Sequence, residues 1–531
     1  MKNSIKIHRY IHAVILFFLI LVLDACTKNF EDYNTDSNGI SDKQLEADFN
    51  NIGAFFPNIQ NAFTSNNMIP MDVGEFLTGG TFAGYFMVTL PGANNTNYDL
   101  IDGWAGYGMF DVGYNSVMSP INEIKRRGAE TSAPDFWSVA LILKVYGMHK
   151  VTDIYGPMPY TEFGQGGTSV AYDSQEDIYN SFFNELDIAS NGLKDYISEF
   201  PGAKPFEKFD NIYAGDYTKW LKFANSLRLR LAMQIVKVNP ELAQTQAEKA
   251  VNSENGGVFT SNEDNAFVSG AGNALWVAAQ IWGDIRVNAA ITTYMTGYND
   301  PRLDKYFDPS SIVPGEYVGI RTGSKIEARA DMVKFSNVAS SAFENSSPTE
   351  LMTAAEVYFL RAEGMLRGWN MGEGSVQQLY EDGVKTSFGQ WGAGDATTYL
   401  NDGDNRPADH MDPLFSEQSI AALTTLPVKW DDLASNEEKL ERIIVQKWIS
   451  DFPDGTLAWS TYRRTGYPKL FPVAINNSGG AIDTEIQIRR VNYPPSEYVN
   501  NPEEVAKGVT LLGGADNGGT RLWWDIDKGN F

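Results

Sequence analysis

The sequence predicts a mostly α-helical protein built from tetratricopeptide-like helix pairs and interrupted by long irregular insertions. Apolar residues recur at helical spacing through Trp137, Leu141, Val145 and Met148, and again through Ile178, Phe182, Leu186, Ala189 and Leu193. A third such stripe runs through Trp220, Ala224, Leu227, Leu231, Ile235 and Val238, so each stretch predicts an amphipathic helix. Trp220, Phe223, Ala224 and Leu227 also fall at the Trp, Leu, Gly and Tyr spacings of a tetratricopeptide unit, with substitutions, and Ala355 to Gly368 suggests another. Between these stretches lie glycine-, asparagine- and ring-rich segments, which predict a degenerate repeat rather than a regular solenoid.

The chain opens on an address. Lys2, Lys6 and Arg9 precede an apolar run from Ala13 to Leu23, long enough for a signal-peptide core and too short for a membrane span, so residues 1–25 read as a signal peptide. The run ends Leu23-Asp24-Ala25-Cys26, which resembles a bacterial lipobox; this implies that Cys26 is lipidated and begins the mature protein. A multiply acylated cysteine would anchor the protein on a membrane without spanning it. Residues 26–43 then form a polar tether, and residues 44–531 are expected to be a single helical domain. Leu45, Phe49, Ile52, Phe56, Ile59 and Phe63 make a helical stripe that Pro57 must kink or divide.

Composition narrows the function. Cys26 is the only cysteine, so no disulfide forms within the chain and stability must come from core burial. The formal charge of −25 argues against nucleic acid or anionic headgroups as partners. Loss of the signal peptide removes His8 and His12, leaving His149 and His410, both read as structural. Nucleophilic, thiolate and histidine-rich metal chemistry therefore lack their residues, and no catalytic residue, cofactor or metal is assigned. The loop carrying Asp402, Asp404, Asp409 and Asp412 lacks EF-hand spacing and reads as solvated acid rather than a calcium site.

From Asn66 to Asn115 glycines, asparagines and rings dominate. Gly106-Tyr107-Gly108 runs on to Asp111, so the phosphate-cradling glycine spacing fails and a nucleotide site is discounted. The segment is either a packed irregular loop or a ligand-facing surface. Farther on, Ser174 with Asp177 caps the Ile178 helix, and Ser435 with Glu438 forms a capping box ahead of Leu440, Ile443, Ile444 and Trp448. Asp451 to Gly455 breaks that helix, and a cluster of Trp459, Tyr462, Arg463 and Arg464 follows, closed by Gly466-Tyr467-Pro468. Such a cluster either locks segments together by packing, the favoured reading, or touches a ligand.

At these residues a family resemblance emerges. Gln446-Lys447-Trp448 and the Tyr-Arg-Arg-Thr-Gly-Tyr-Pro ending at Pro468 resemble the C-terminal signature of the SusD/RagB family of outer-membrane nutrient-binding lipoproteins. Phe30 to Asp36, Thr152 to Tyr160, the Trp220 helix, Asn299 to Leu303, Glu356 to Glu363 and Asn492 to Glu497 look like further landmarks in the expected order. The resemblance implies four tetratricopeptide-like units over a TonB-dependent, SusC-like transporter barrel. It also implies a lipid-anchored, surface-exposed protein that captures oligosaccharides, or peptides in some members.

The runner-up reading is a secreted glycoside hydrolase, since Glu356 and Glu363 lie seven apart on one helix face and could act as a carboxylate pair. A bare helical scaffold would leave the ring-rich insertions unexplained. A sugar needs flat rings for its C–H face and planar polar groups for its hydroxyl rim, held on loops by a rigid frame. The candidate ligand-binding residues are therefore Tyr98, Trp104 and Tyr107 from the first insertion, with Trp276, Trp282 and Arg286 from the stretch before Asn299. Trp369 and Trp448 are assigned to helix packing.

Overall fold

The computed structural model describes residues 46–531 apart from 91 and 168, and the chain divides into two units, Met1–Ile52 and Gly53–Phe531. The signal segment, Cys26 and the tether lie outside the described residues. Within 50–63 the expected stripe is broken into Asn50–Gly53, Phe56–Gln60 and the 3-10 turn Asn61–Phe63. Pro57 sits in the first turn of the middle piece, where its missing N–H costs nothing.

The second unit is organised around helices α1 (Pro134–Tyr155), α2 (Gln175–Glu199), α3 (Tyr217–Gln234), α4 (Pro240–Val251), α5 (Ala354–Leu366), α6 (Val376–Trp391), α7 (Asn436–Ser450) and α8 (Gly455–Thr465). They pack as successive neighbours, α1 on α2, α2 on α3 and α3 on α4, then α5 on α6 and α7. This is the helix-pair architecture the periodicity predicts. The caps form as read: Ser174 Oγ accepts from the Asp177 N–H at 3.1 Å, and Ser435 and Glu438 exchange bonds of 3.2 and 2.9 Å.

Two expectations change. α1 is not amphipathic: every residue except Pro134 and Lys144 is buried, because α2, α8 and the 112–118 turn all pack around it. The 66–115 insertion is not simply irregular, since Asp72–Gly80, Gly106–Phe110 and Val112–Met118 wind as wide π-type helices. A Cβ on Gly455 would lie 2.3 Å from the Gly80 Cα, so two backbones touch where α8 crosses the 72–80 helix.

The C-terminal cluster packs, as favoured. α8 is helical and buried throughout, with the Arg463 guanidinium 3.7 Å above the Trp459 ring and its Nη1 donating to the Arg489 carbonyl at 2.7 Å. Three short antiparallel ribbons complete the frame: β1 (Phe86–Val88) with β3 (Ile285–Val287), β2 (Ala266–Val268) with β6 (Thr349–Met352), and β4 (Phe307–Asp308) with β5 (Asn337–Val338). The first ribbon pairs Met87 with Arg286 and so ties the two ring-rich insertions together.

Candidate functional site

The six candidates separate into surface and frame. Tyr107 is 61% exposed and Trp282 40%, while Trp104 and Trp276 are half-buried. Tyr98 corrects the expectation: it is buried, with left-handed backbone (φ 63°) and its ring edge-on to Phe82 at 6.3 Å, so it is a core residue. Arg286 is also committed to the frame. Its Nη1 donates to the Ile285 carbonyl at 2.7 Å and its Nε to the Val333 carbonyl at 3.3 Å. Trp448 is buried as assigned, whereas Trp369 lies just beyond the end of α5 and is half-buried.

Both insertions rest on one element. The Gly106–Phe110 turn packs on Met68–Met71 and Asp72–Gly80, and the turn Ala274–Trp276 packs on Asp72–Gly80 as well. Among the described residues, no ring of one insertion stacks on a ring of the other. Helix Pro495–Asn500 also packs against the Asp102–Ala105 turn and carries Tyr498, 44% exposed, whose hydroxyl donates to Asp516 at 2.7 Å. Tyr498 is not singled out in the sequence; it lies one residue past the Asn492–Glu497 landmark.

A cavity of about 290 Å³ lies beside the Ala274–Trp276 turn. Its apolar walls are Phe63, Phe76, Phe267, Phe343 and Trp391. Its floor is polar: Lys150 reaches Asp454 at 2.9 Å and Glu75 at 3.4 Å, and Glu75 accepts from the Thr456 N–H and hydroxyl at 2.8 and 2.9 Å. Burial pushes the Asp454 carboxyl up, but Lys150 and Arg230 outweigh it and hold the group at about 2. Burial drives Glu350, a wall residue, well above the carboxylate range, reinforced by Asp451, Asp454 and Glu356. Asp454 stands out in the sequence only as part of the Asp451–Gly455 helix breaker and the others not at all, because they meet only through contacts between distant segments.

The proposed hydrolase pair comes apart. Glu356 is held by Arg230 at 2.6 and 2.8 Å, while Glu363 is held by Arg464 at 2.6 and 2.7 Å and by Arg367 at 2.8 Å. Both carboxylates are buried in separate ion pairs, where neither can meet a glycosidic bond. In the acidic loop, Asp402 accepts from the Asp404 and Asn405 N–H groups at 2.9 Å, and Asp412 from Leu414 and Phe415 at 2.8 Å. These carboxylates close turns. His149 is buried in α1, where burial lowers its ring to about 3, and His410 is likewise lowered to about 4.

No helix among the described residues is long and apolar enough to cross a membrane. The family described as Susd and RagB outer membrane lipoprotein matches residues 32–525. No curated protein matches the chain. A chitin-binding SusD homologue from Flavobacterium johnsoniae superposes with a TM-score of 0.86 at 44% identity, covering 90% of this chain and 100% of its own. A SusD homologue from Bacteroides vulgatus also gives 0.86, at 38% identity over 92% of this chain and 100% of its own. A further chitin-binding protein gives 0.71 at 27% identity, covering 90% of this chain and 100% of its own. With its helix pairs, its landmark segments in order and this match over nearly the whole chain, it belongs to the SusD-like family of outer-membrane lipoproteins.

Proposed function

We propose that this protein is anchored through Cys26 on the cell surface, binds oligosaccharide without turning it over, and delivers it to a TonB-dependent, SusC-like transporter. The observation that carries the glycan reading is the likeness to a chitin-binding homologue over its whole length, joined to rings left exposed on rigid turns. Chitin-type oligosaccharides are accordingly the ligand class. Tyr107 and Trp282 present exposed faces and Trp104 and Trp276 are half-buried; the 102–110 and 274–276 turns are braced by the 68–80 helix, and the 277–282 turn by β3 and β5. Arg286 supports this surface from its strand rather than touching sugar.

Calorimetry with chitin oligosaccharides tests the site. Tyr107→Ala and Trp282→Ala are each expected to cost about 1–2 kcal/mol of binding, roughly 5- to 30-fold, as interface rings do. Melting temperature should hold, because exposed side chains contribute little to stability. Unchanged affinity in both variants would place the glycan elsewhere, and binding of peptides in place of glycans would replace the ligand class. Bound oligosaccharide should be recovered intact after prolonged incubation.

The anchor is tested separately. Cys26→Ala should abolish palmitate labelling and release a folded, soluble protein; labelling that persists would refute lipidation there. Affinity purification from detergent extracts should recover a barrel transporter with the wild-type protein.

A further inference from the structure

We infer, resting on the reading of Trp282 as a ligand contact, that Arg329 is its positioning residue: the guanidinium fixes the turn that presents the ring. Trp282 ends the wide π-type turn Val277–Trp282, and Gly283 then reverses the chain with left-handed backbone (φ 65°). Such a reversal leaves carbonyls outside any regular ladder, and they need donors if the turn is to keep one conformation. Arg329 supplies them. Its Nη2 donates to the Trp282 carbonyl and to the Gly283 carbonyl at 3.0 Å, and meets the Asp284 carboxylate at 3.4 Å. Three consecutive residues therefore answer to one side chain.

The turn is held from its other side by the first insertion. The Thr89 hydroxyl donates to the Gly283 carbonyl at 2.5 Å and the Thr89 N–H to the Asp284 carbonyl at 2.8 Å, while the Asp284 N–H closes on Ala278 at 2.9 Å. Arg329 is itself anchored. Its carbonyl accepts from the Val333 N–H at 3.0 Å, the Val333 carbonyl accepts from Arg286 Nε at 3.3 Å, and Met332 of the same turn is buried with Met87, Ile320 and Phe335. The guanidinium thus joins a fixed turn to the one that carries Trp282. Arg286 cannot take its place, because its Nε and Nη1 are spent on the Val333 and Ile285 carbonyls.

Positioning and folding make different demands on this side chain. Arg329 is 37% exposed, and an ion pair of 3.4 Å at such a site contributes little to the stability of the whole chain. A ring already held in its binding orientation, by contrast, need not be ordered when ligand arrives, and that saving appears in affinity.

Calorimetry with chitotetraose on the mature protein, together with backbone hydrogen exchange, decides the matter. Arg329→Met keeps most of the stem and removes the donors; it is expected to weaken binding about 3- to 10-fold, the cost of ordering one large side chain. Exchange over residues 277–284 should quicken without ligand present, and the melting temperature should hold. Arg329→Lys, whose ammonium can donate to the same carbonyls, should restore most of the affinity. In a Trp282→Ala background Arg329→Met should add nothing, since there is no ring left to position. Unchanged affinity in Arg329→Met where Trp282→Ala does weaken binding would overturn the inference, and so would an equal loss in both backgrounds, which would make Arg329 a ligand contact in its own right. If Trp282→Ala leaves affinity intact, the surface reading fails instead; exchange over 277–284 unaltered by Arg329→Met would overturn the clamp whatever the ligand.

Discussion

Glu363→Ala is expected to lower the free energy of unfolding by about 3–5 kcal/mol, the usual cost of removing one partner from a buried ion pair. Glu363 is fully buried and takes a two-pronged bond from Arg464 on α8 and another from Arg367 at the end of α5. Alanine strands both guanidiniums away from water and uncouples the two helices. Burial would raise this carboxyl, but Arg464 and Arg367 outweigh it and hold it at about 2, below the ~4.3 of an unfolded glutamate. The folded value is depressed, so this stability is present above about pH 4.3 and is lost as pH falls through about 2. Denaturant unfolding at neutral pH should show the loss, and the acid limb of the wild-type stability curve should flatten in Glu363→Gln. Removing Glu363 together with both of its partners, as in Glu363→Leu with Arg464→Met and Arg367→Met, should cost less than Glu363→Ala alone. A midpoint unmoved by Glu363→Ala would contradict the argument.

Asp300→Ala should be comparably severe, again about 3–5 kcal/mol. Arg302 is completely buried, and its guanidinium spends its donors on Asp300 at 2.6 and 3.0 Å, Ser387 at 2.9 Å and Gln446 at 2.9 Å. Tyr399 adds a 2.8 Å bond to the same carboxylate. One arginine thus joins the 300–302 turn to α6 and α7. Without Asp300 its charge has no counterion in the interior, and Tyr399 loses an acceptor. Thermal unfolding should fall sharply, while Lys305→Ala, whose ion pair with Asp304 lies at the surface, should change little. Equal effects from the two substitutions would mean that burial does not set the cost.

What the sequence determined by itself is what local physics determines. Helical periodicity and the caps at Ser174 and Ser435 act within one or two turns, so α1, α2, α3 and α7 could be read directly, and the landmark segments led to the family. The sequence left the ring-rich stretches open between packed loop and exposed surface, and rings beside glycines went both ways: Tyr107 and Trp282 are exposed, while Tyr85 and Tyr114 are buried. Contacts between distant segments emerge only from long-range packing. Periodicity could not show that α1 is enclosed on every side, because the covering residues come from α2, α8 and the 112–118 turn. Nor could it show that Tyr98 turns inward against Phe82, or that Glu356 and Glu363, which share a helix face, answer to different arginines. The cavity is the clearest case: Glu75, Lys150, Glu350, Trp391 and Asp454 meet only when the chain has folded. A lone charge within an apolar stretch has no local partner, and only long-range packing supplies the counter-charge that makes its burial tolerable.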